Sequence, residues 1–231
     1  MLRAIWRMLK RIFICLFIAQ LIYIVALKWI NPPTTATMIA NRISLAGSNA
    51  HFHKKWIAYD NISPDVKVAV MAGEDQLFPV NNGFDVNAIK KAWLHNQYSK
   101  RIRGASTISQ QTAKNVFLWQ GRDWFRKGLE VYFTFMIEKI WGKKRILEVY
   151  LNVAQMGPHT FGIGAASEQY YHVSAKALSA SQAAMIAACL PDPYRYKVQP
   201  PAGMTVFRQQ WILGQMKNLE GYPDIQKLIN E

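Results

Sequence analysis

The chain has 231 residues, 51% of them hydrophobic, and a net charge of +14 from 28 Lys and Arg against 14 Asp and Glu. This apolar content excludes wholesale disorder, and the two cysteines exclude a disulfide-built scaffold or a cysteine-rich metal site. The positive charge falls in two blocks: residues 1–59 hold eight basic residues and no acid, and residues 90–145 hold thirteen basic residues and three acids.

The first basic block surrounds an apolar run. Residues 12–27 carry no charge, and extending the run to residue 30 brings it close to the roughly 20 residues that span a bilayer. Four cations precede the run, and such flanks stay on the cytoplasmic side: Arg3, Arg7, Lys10 and Arg11. We therefore predict a basic cytoplasmic segment over 1–11 and a transmembrane anchor over 12–30, with the rest of the chain outside. A cleaved signal peptide is the alternative, but no A-x-A site follows closely.

The remaining chain divides into a connection and one domain. Residues 31–55 are rich in Pro, Thr, Ser and Asn, which is typical of a linker. From residue 56 to residue 231 the apolar periodicity is helical, and the length suits one mainly α domain with a single core. A capping Ser63 starts one helix, a second covers 85–98, and a third starts at Ser106 or Thr107, where Thr107 with Gln110 fits a capping box. Further helices are predicted over 123–141, 143–153, 179–190 and 205–219.

The second basic block contains a candidate anion site. In residues 104–115 a glycine leads into a hydroxyl-rich helix start, whose free N–H groups suit an anionic ligand, and Lys114 adds a cation. Farther on, Arg122, Arg126 and Glu130 recur every four residues and share one helix face. The alternative for this face is an exposed Arg126–Glu130 salt bridge on a solvated surface.

Aromatic residues interleave with these cations. A basic, aromatic surface also suits nucleic acid, but a protein held outside the membrane meets little of it. The combination therefore favours an amphiphilic lipid phosphate as the partner, with no nucleic acid.

Glu74 is a candidate acid–base residue. It ends an apolar helix beside Asp75, and a carboxylate in apolar or like-charged surroundings has a raised pKa and exchanges protons near neutral pH. The alternative is a carboxylate that caps or pairs locally. Two separated carboxylates, here Glu74 and Glu130, are typical of glycosidic-bond chemistry. The histidines show no metal-ligand spacing, and no P-loop, dinucleotide-binding fingerprint or G-x-S-x-G motif occurs.

These residues resemble the bacterial peptidoglycan glycosyltransferases, specifically the short, monofunctional, membrane-anchored biosynthetic kind. The resemblance covers about residues 56–216 and rests on five motifs in the right order. They are residues 74–78 with 83–85, residues 104–111 with 114–115, residues 126–130, residues 144–152, and a weaker fifth at Arg208 with 212–213.

The resemblance implies a mainly α, lysozyme-like fold with a hydrophobic region that dips into the bilayer. It implies an enzyme that polymerises lipid II into linear β-1,4 glycan strands at the outer face of the cytoplasmic membrane, inverting the anomeric centre and releasing undecaprenyl pyrophosphate. The implied partners are lipid II, the growing lipid-linked strand, the membrane and other cell-wall synthesis proteins. No cofactor is required by the resemblance, although a divalent cation such as Mg²⁺ or Mn²⁺ near Glu130 stays open.

The resemblance also implies a role for each matching residue. Glu74 would be the general base and Glu130 the second essential acid. The cations that would stabilise the leaving pyrophosphate are Lys114, Arg122, Arg126 and Lys127. The remaining substrate-binding residues would be Ser106, Gln110, Gln111 and Asn115. Structural support would come from Asp75, Phe78, Glu148, Tyr150 and Asn152.

Two positions depart from the family pattern. Asn81 stands where the first motif usually has His, and Gln209 where the fifth usually has a second Arg.

Three other functions remain as alternatives. A lysozyme-like hydrolase would use similar carboxylates, but it has no pyrophosphate for the cations at 114–127 to hold. A catalytically silent scaffold and a nucleic-acid-binding module are the other two alternatives.

Overall fold

The computed structural model describes residues 2–99, 104–121 and 123–230, and most of them are helical. Helix α1 (Leu2–Ala26) contains the N-terminal cations as well as the apolar run. Its most apolar 18-residue stretch has a mean hydropathy of 2.0, and among the described helices α1 is the one long and apolar enough to cross a membrane. The prediction of a mainly α fold with an N-terminal apolar helix is confirmed.

The C-terminal end of α1 is attached to the rest of the protein. Ile24 and Leu27 are buried in the core. The indole Nε1 of Trp141 donates a hydrogen bond to the Ile24 carbonyl at 2.8 Å, and Arg145 Nε donates to the Leu27 carbonyl at 3.1 Å. These contacts fix the position of the C-terminal end of α1 on the domain.

The segment 31–55, predicted as a linker, contains helix α2 (Ala36–Ser44). The Thr35 hydroxyl caps it by accepting from the Met38 N–H at 3.2 Å, and the Met38 side chain is fully buried. Lys54 Nζ donates to the Pro33 carbonyl at 2.7 Å, which ties the preceding turn to the domain as well. This segment is thus packed against the domain.

Nine further helices build the domain: α3 (Pro64–Glu74), α4 (Val86–Tyr98), α5 (Ile108–Phe117), α6 (Trp124–Ile140), α7 (Lys143–Val153), α8 (Ile163–Tyr171), α9 (Ala180–Cys189), α10 (Gly203–Leu219) and α11 (Pro223–Asn230), counted over the described residues. The predicted caps at Ser63 and at Thr107, which forms a capping box with Gln110, are confirmed. The side chains of Asp85, Asp123 and Ser179 also cap the helices that begin there. Helices α8 and α11 were not predicted.

A small sheet lies beside the helices. Strands β1 (His53–Lys54), β2 (Gln155–Gly157) and β3 (Thr160–Phe161) pair in the order β1-β3-β2. β1 runs parallel to β3, and β2 runs antiparallel to it. The sheet joins the segment after α2 to the segment after α7.

The core is organised around two groups of helices. Helix α3 packs against α9, α10 and α11, while α5 packs against α6, α7 and α2. The hydroxyl of Tyr59 donates to the Leu228 carbonyl at 2.7 Å, and buried Lys67 donates to the Ile229 carbonyl at 3.3 Å, so both hold the end of α11. The last residue of α3, Glu74, reaches the boundary between the two groups, where it meets α5.

Candidate active site

Glu74 is half-buried at the C-terminal end of α3 and is held by an amide from α5. Its Oε2 accepts a hydrogen bond from Gln111 Nε2 at 2.7 Å. The Oε1 of the same amide accepts from the hydroxyl of Tyr150 on α7 at 3.2 Å. Tyr150 is 1% exposed, so a buried hydroxyl fixes which end of the Gln111 amide faces the carboxylate.

The surroundings of Glu74 favour its protonated form. Burial raises the pKa of Glu74, and the charge of Asp75 adds to that rise. The hydrogen bond from Gln111 and the cations Arg208 and Lys114 lower it in part. A carboxylate with a raised pKa is a stronger base than an exposed glutamate, which suits it to accept a proton.

Asp75 links the end of α3 to the start of α5. Asn81 Nδ2 donates to both Asp75 carboxylate oxygens, at 2.9 and 3.1 Å, and the Ile108 N–H donates to Oδ2 at 3.2 Å. Asn81 Oδ1 accepts from Lys143 Nζ at 3.1 Å, and that ammonium lies 4.7 Å from the ring centre of buried Phe78. Burial raises the pKa of Asp75. An uncharged amide thus provides the donors at the position where the family usually has His.

Glu148 and Asn152 on α7 bind the backbone that precedes α3. Glu148 Oε1 accepts from the Tyr59 N–H at 3.2 Å, while its Oε2 accepts from Arg145 at 2.6 Å. Asn152 accepts from the Ile57 N–H at 2.7 Å and donates to the Ile57 carbonyl at 2.9 Å. These contacts fix the chain leading into α3.

Glu130 lies on α6 and is paired with two cations. Its Oε2 accepts from Arg126 at 2.7 Å, and its Oε1 accepts from Lys127 at 2.5 Å. Glu130 is 3% exposed and Arg126 7%, so the alternative of a solvated surface pair is wrong. Arg126 Nε also donates to the Gly121 carbonyl at 2.9 Å. The pair is a buried, hydrogen-bonded unit.

The donor set around Glu130 does not fit a protein-held divalent ion. Both of its oxygens already accept from ammonium or guanidinium groups, whose charge repels a second cation. Within the parts of the chain that the structure describes, no three His, Cys, Asp or Glu side chains lie together as metal ligands would.

Lys114 on α5 connects the two carboxylates electrostatically. Burial lowers the pKa of its half-buried ammonium, the charges of Glu130 and Glu74 raise it, and the neighbouring Arg126 and Lys127 lower it further. Lys114 therefore lies within electrostatic reach of both acids. It also lines a cavity of about 460 Å³, together with Gln111 and Asn115 from the same helix.

Four described residues predicted for substrate binding are not part of this cavity lining: Ser106, Gln110, Arg126 and Lys127. Gln110 is 3% exposed, and its Oε1 accepts from the Thr107 N–H at 3.1 Å within the capping box. Ser106 is exposed, one residue before that cap. Arg122 lies outside the described residues.

Large apolar side chains are exposed on α4 and on α6. On α4 they are Val86, Ile89, Trp93, Leu94 and Tyr98, and on α6 they are Trp124, Phe125, Val131 and Phe135. Exposed clusters of this kind mark interaction sites for membranes or proteins. Most of them lie within the second basic block, where the sequence predicted an aromatic, cationic surface.

Sequence comparison identifies the family. The transglycosylase family matches residues 41–217. The chain belongs to the transglycosylase family. A relative from Cronobacter sakazakii named biosynthetic peptidoglycan transglycosylase is 53% identical over 192 residues, which cover 82% of this chain and 80% of the relative. Relatives of the same name from Yersinia pseudotuberculosis and Escherichia coli are 49% and 47% identical, and they cover 98% and 93% of this chain and 95% and 94% of their own lengths.

As a member of this family, the protein is a glycosyltransferase. The family match extends from α2 to α10. It includes both carboxylates and the described cations around them. The predicted family, fold class and enzyme class are therefore confirmed.

Two parts of the transglycosylase site were missed by sequence reasoning. Arg208 was recognised only as part of a weak motif, yet its charge reaches Glu74 from α10. Helix α2 was taken as part of a linker, yet Thr37 and Asn41 line the cavity opposite Gln111. Thr35, a good N-cap residue after two prolines, was the available signal for α2.

Proposed function

We propose that this transglycosylase polymerises lipid II into linear β-1,4-linked glycan strands of peptidoglycan, with inversion at the anomeric centre and release of undecaprenyl pyrophosphate. The names of the relatives give the product class. One structural observation carries the proposal: a half-buried carboxylate with a raised pKa, Glu74, accepts a hydrogen bond from Gln111, and Gln111 lines a cavity that a half-buried cation, Lys114, also lines.

Glu74 acts as the general base in this mechanism. Its carboxylate takes the proton from the 4-hydroxyl of the acceptor N-acetylglucosamine. The hydroxyl oxygen forms the new bond to C1 of the donor N-acetylmuramic acid as the bond from C1 to the pyrophosphate oxygen breaks. Attack from the face opposite the leaving group converts the α linkage into β. Gln111 keeps an N–H directed at the carboxylate so that its ionised form is available.

The cations stabilise the charge that develops on the departing pyrophosphate. Lys114 provides an ammonium at the cavity. The cluster that Arg126 and Lys127 form with Glu130 supplies further positive charge close to Lys114. Glu130 holds these two side chains in fixed positions, and Arg122 follows from the sequence pattern as a fourth cation. Hydrogen bonds from Asn115 and Ser106 complete the substrate contacts, while Gln110 supports them by capping α5.

The protein acts at the outer face of the cytoplasmic membrane with a single span. Helix α1 is long and apolar enough to cross, and the cations at its start keep the N-terminus in the cytoplasm. The exposed apolar residues of α4 and α6 contact the lipid surface from which a polyprenyl-linked substrate is taken. Other cell-wall synthesis proteins are expected partners at that surface.

A polymerisation assay tests the proposal. The full-length protein in detergent micelles is incubated with labelled lipid II, and the products are separated by gel electrophoresis. We expect long glycan strands from the wild type and a loss of rate of about 10²–10⁴-fold in Glu74→Gln, since a positioned base contributes about that factor.

The outcomes separate the alternatives. Absence of polymer from the wild type contradicts the transferase, and short soluble fragments cut from preformed glycan would indicate a hydrolase instead. Polymer formed by Glu74→Gln at the wild-type rate leaves the transferase standing but removes Glu74 as the base. The matched control is Glu168→Gln, because Glu168 is an exposed acid of α8 whose partner is the surface residue Lys55.

A further inference from the structure

Helix α2 forms one wall of the cavity that contains Lys114. Thr37, Ala40, Asn41 and Ser44 recur at helical spacing and line the cavity, facing Gln111, Lys114 and Asn115 of α5. Gln120 Nε2 donates to the Thr37 hydroxyl at 2.5 Å, joining the start of α2 to the chain beyond α5. The helix that follows the membrane segment therefore belongs to the cavity itself.

Asn41 holds this wall in place. Its side chain is 5% exposed, and Nδ2 donates to the Pro158 carbonyl and to the Tyr194 hydroxyl, both at 2.9 Å. Its Oδ1 is 3.2 Å from His159 Nδ1. All the hydrogen-bonding groups of this amide are thus engaged with two segments distant in sequence, one after α7 and one after α9.

The chemistry of the lining indicates what the wall contacts. Away from Lys114 the cavity presents neutral amides and hydroxyls, including Gln120, Gln155 and Ser44, together with the ring of Tyr194. Among the described residues that line it, none is acidic. Neutral hydrogen-bonding groups beside an aromatic ring suit a hydroxyl-rich, uncharged ligand, and Lys114, the single cation among the described lining residues, suits a phosphate attached to it.

From this arrangement we infer that α2 is part of the substrate site: the sugar portion of the lipid-linked substrate lies against α2, and Asn41 is a positioning residue that sets the width of the cavity. The inference rests on the proposed function, because it assigns a location to the substrate of that reaction. It adds a specific element, the helix adjoining the membrane segment, to the groups that bind substrate. Since the C-terminal end of α1 is also docked on the domain, this wall follows closely on a fixed end of the apolar helix.

Cysteine protection tests the contact directly. Single cysteines are placed at Ala40 and Asn115 on opposite walls and, as the matched control, at Ile43, which is 69% exposed on the same helix and outside the cavity. The background carries Cys15→Ala and Glu74→Gln, the latter to prevent turnover. Native Cys189 stays unreactive because it is fully buried and burial raises the pKa of its thiol to about 12.

Lipid II in micelles is expected to slow alkylation by a water-soluble maleimide at Ala40→Cys and Asn115→Cys and to leave Ile43→Cys unchanged. Protection at Asn115→Cys without protection at Ala40→Cys overturns the role of α2 while the proposed function stands. Equal protection at Ile43→Cys overturns it as well, since it indicates general shielding by micelles. Failure of the wild type to polymerise lipid II contradicts the proposed function by its own assay.

Kinetics test the positioning role of Asn41. Asn41→Ala is expected to raise KM for lipid II about tenfold, with kcat within about twofold of wild type, because the loosened wall weakens binding without touching the base. Asn41→Asp keeps the acceptor but loses both donors, so its KM should rise as well, whereas Ile43→Ala should match wild type. An unchanged KM in Asn41→Ala overturns the positioning role, and if that variant does not fold, the cysteine experiment decides.

Discussion

Glu74 and Glu130 are both sheltered carboxylates on helices that meet α5, but their partners differ in charge. Glu74 accepts from a neutral amide, Gln111, whereas Glu130 accepts from the cations Arg126 and Lys127. A neutral donor leaves a buried carboxylate free to gain and lose a proton, while two cations hold it as part of an ion cluster. In the proposed mechanism, the same residue type accepts a proton in one place and positions cations in the other.

The strongest test of this difference is protein stability. Glu130→Gln leaves buried Arg126 without its charged partner, so we expect the free energy of unfolding to fall by about 3 kcal/mol. Glu74→Gln should be neutral or stabilising at pH 7. Because the pKa of Glu74 is raised in the folded protein, its ionisation costs stability as pH rises above the unfolded value, and Gln removes that cost. Denaturant unfolding of both variants in detergent measures the contrast, and equal losses would contradict it.

Removing the cation between the two carboxylates should mainly affect the chemical step. Lys114→Met keeps the length and most of the volume of the side chain, and we expect kcat to fall about 10²-fold because a charge-stabilising group for the leaving pyrophosphate is lost. Lys217→Met, on an exposed position of α10, is the matched control and should keep the wild-type rate. Steady-state kinetics with lipid II measure both, and an unchanged kcat in Lys114→Met would return this cation to a structural role.

The pH profile tests the base and its amide partner. Since Glu74 must be ionised to act, kcat/KM of the wild type should fall as pH drops through a value above that of an ordinary glutamate. In Gln111→Ala this acidic limb should move to higher pH, because the lost hydrogen bond favoured the ionised form. Asp75, Lys114 and Arg208 keep facing Glu74 in the variant, so they do not account for the shift. A limb that stays in place would indicate that another group titrates.

The smallest expected effect concerns the hydroxyl that orients the amide. Tyr150→Phe removes the donor to Gln111 Oε1 but keeps the buried ring, so we expect kcat/KM to fall by a factor of about 2–10, the equivalent of one hydrogen bond. Its acidic limb should shift in the same direction as that of Gln111→Ala. Tyr222→Phe, at a 59% exposed tyrosine, is the control. Full activity with an unshifted profile would separate Tyr150 from the orientation of the amide.

The sequence by itself determined the features that depend on neighbouring residues. The caps at Ser63 and Thr107 were readable because a cap is completed within a few residues. The length and hydropathy of α1 are likewise properties of one segment. The motifs identified the family and matched Glu74 and Glu130 to its two carboxylates. They did not show that these carboxylates have different electrostatic surroundings.

The tertiary structure decided the features that need segments distant in the chain. The four-residue spacing of Arg126 and Glu130 is the same on a solvent-exposed and on a buried helix face, so only tertiary packing determined that this pair is buried. Arg208 acts on Glu74 across 134 positions of sequence because α10 packs against α3. Asn41 in α2 likewise donates to Tyr194, 153 positions later, because the fold brings the two segments together. No local sequence pattern encodes which helix faces pack against each other. Burial and long-range charge are collective properties of the fold, so they appear only once the helices have packed.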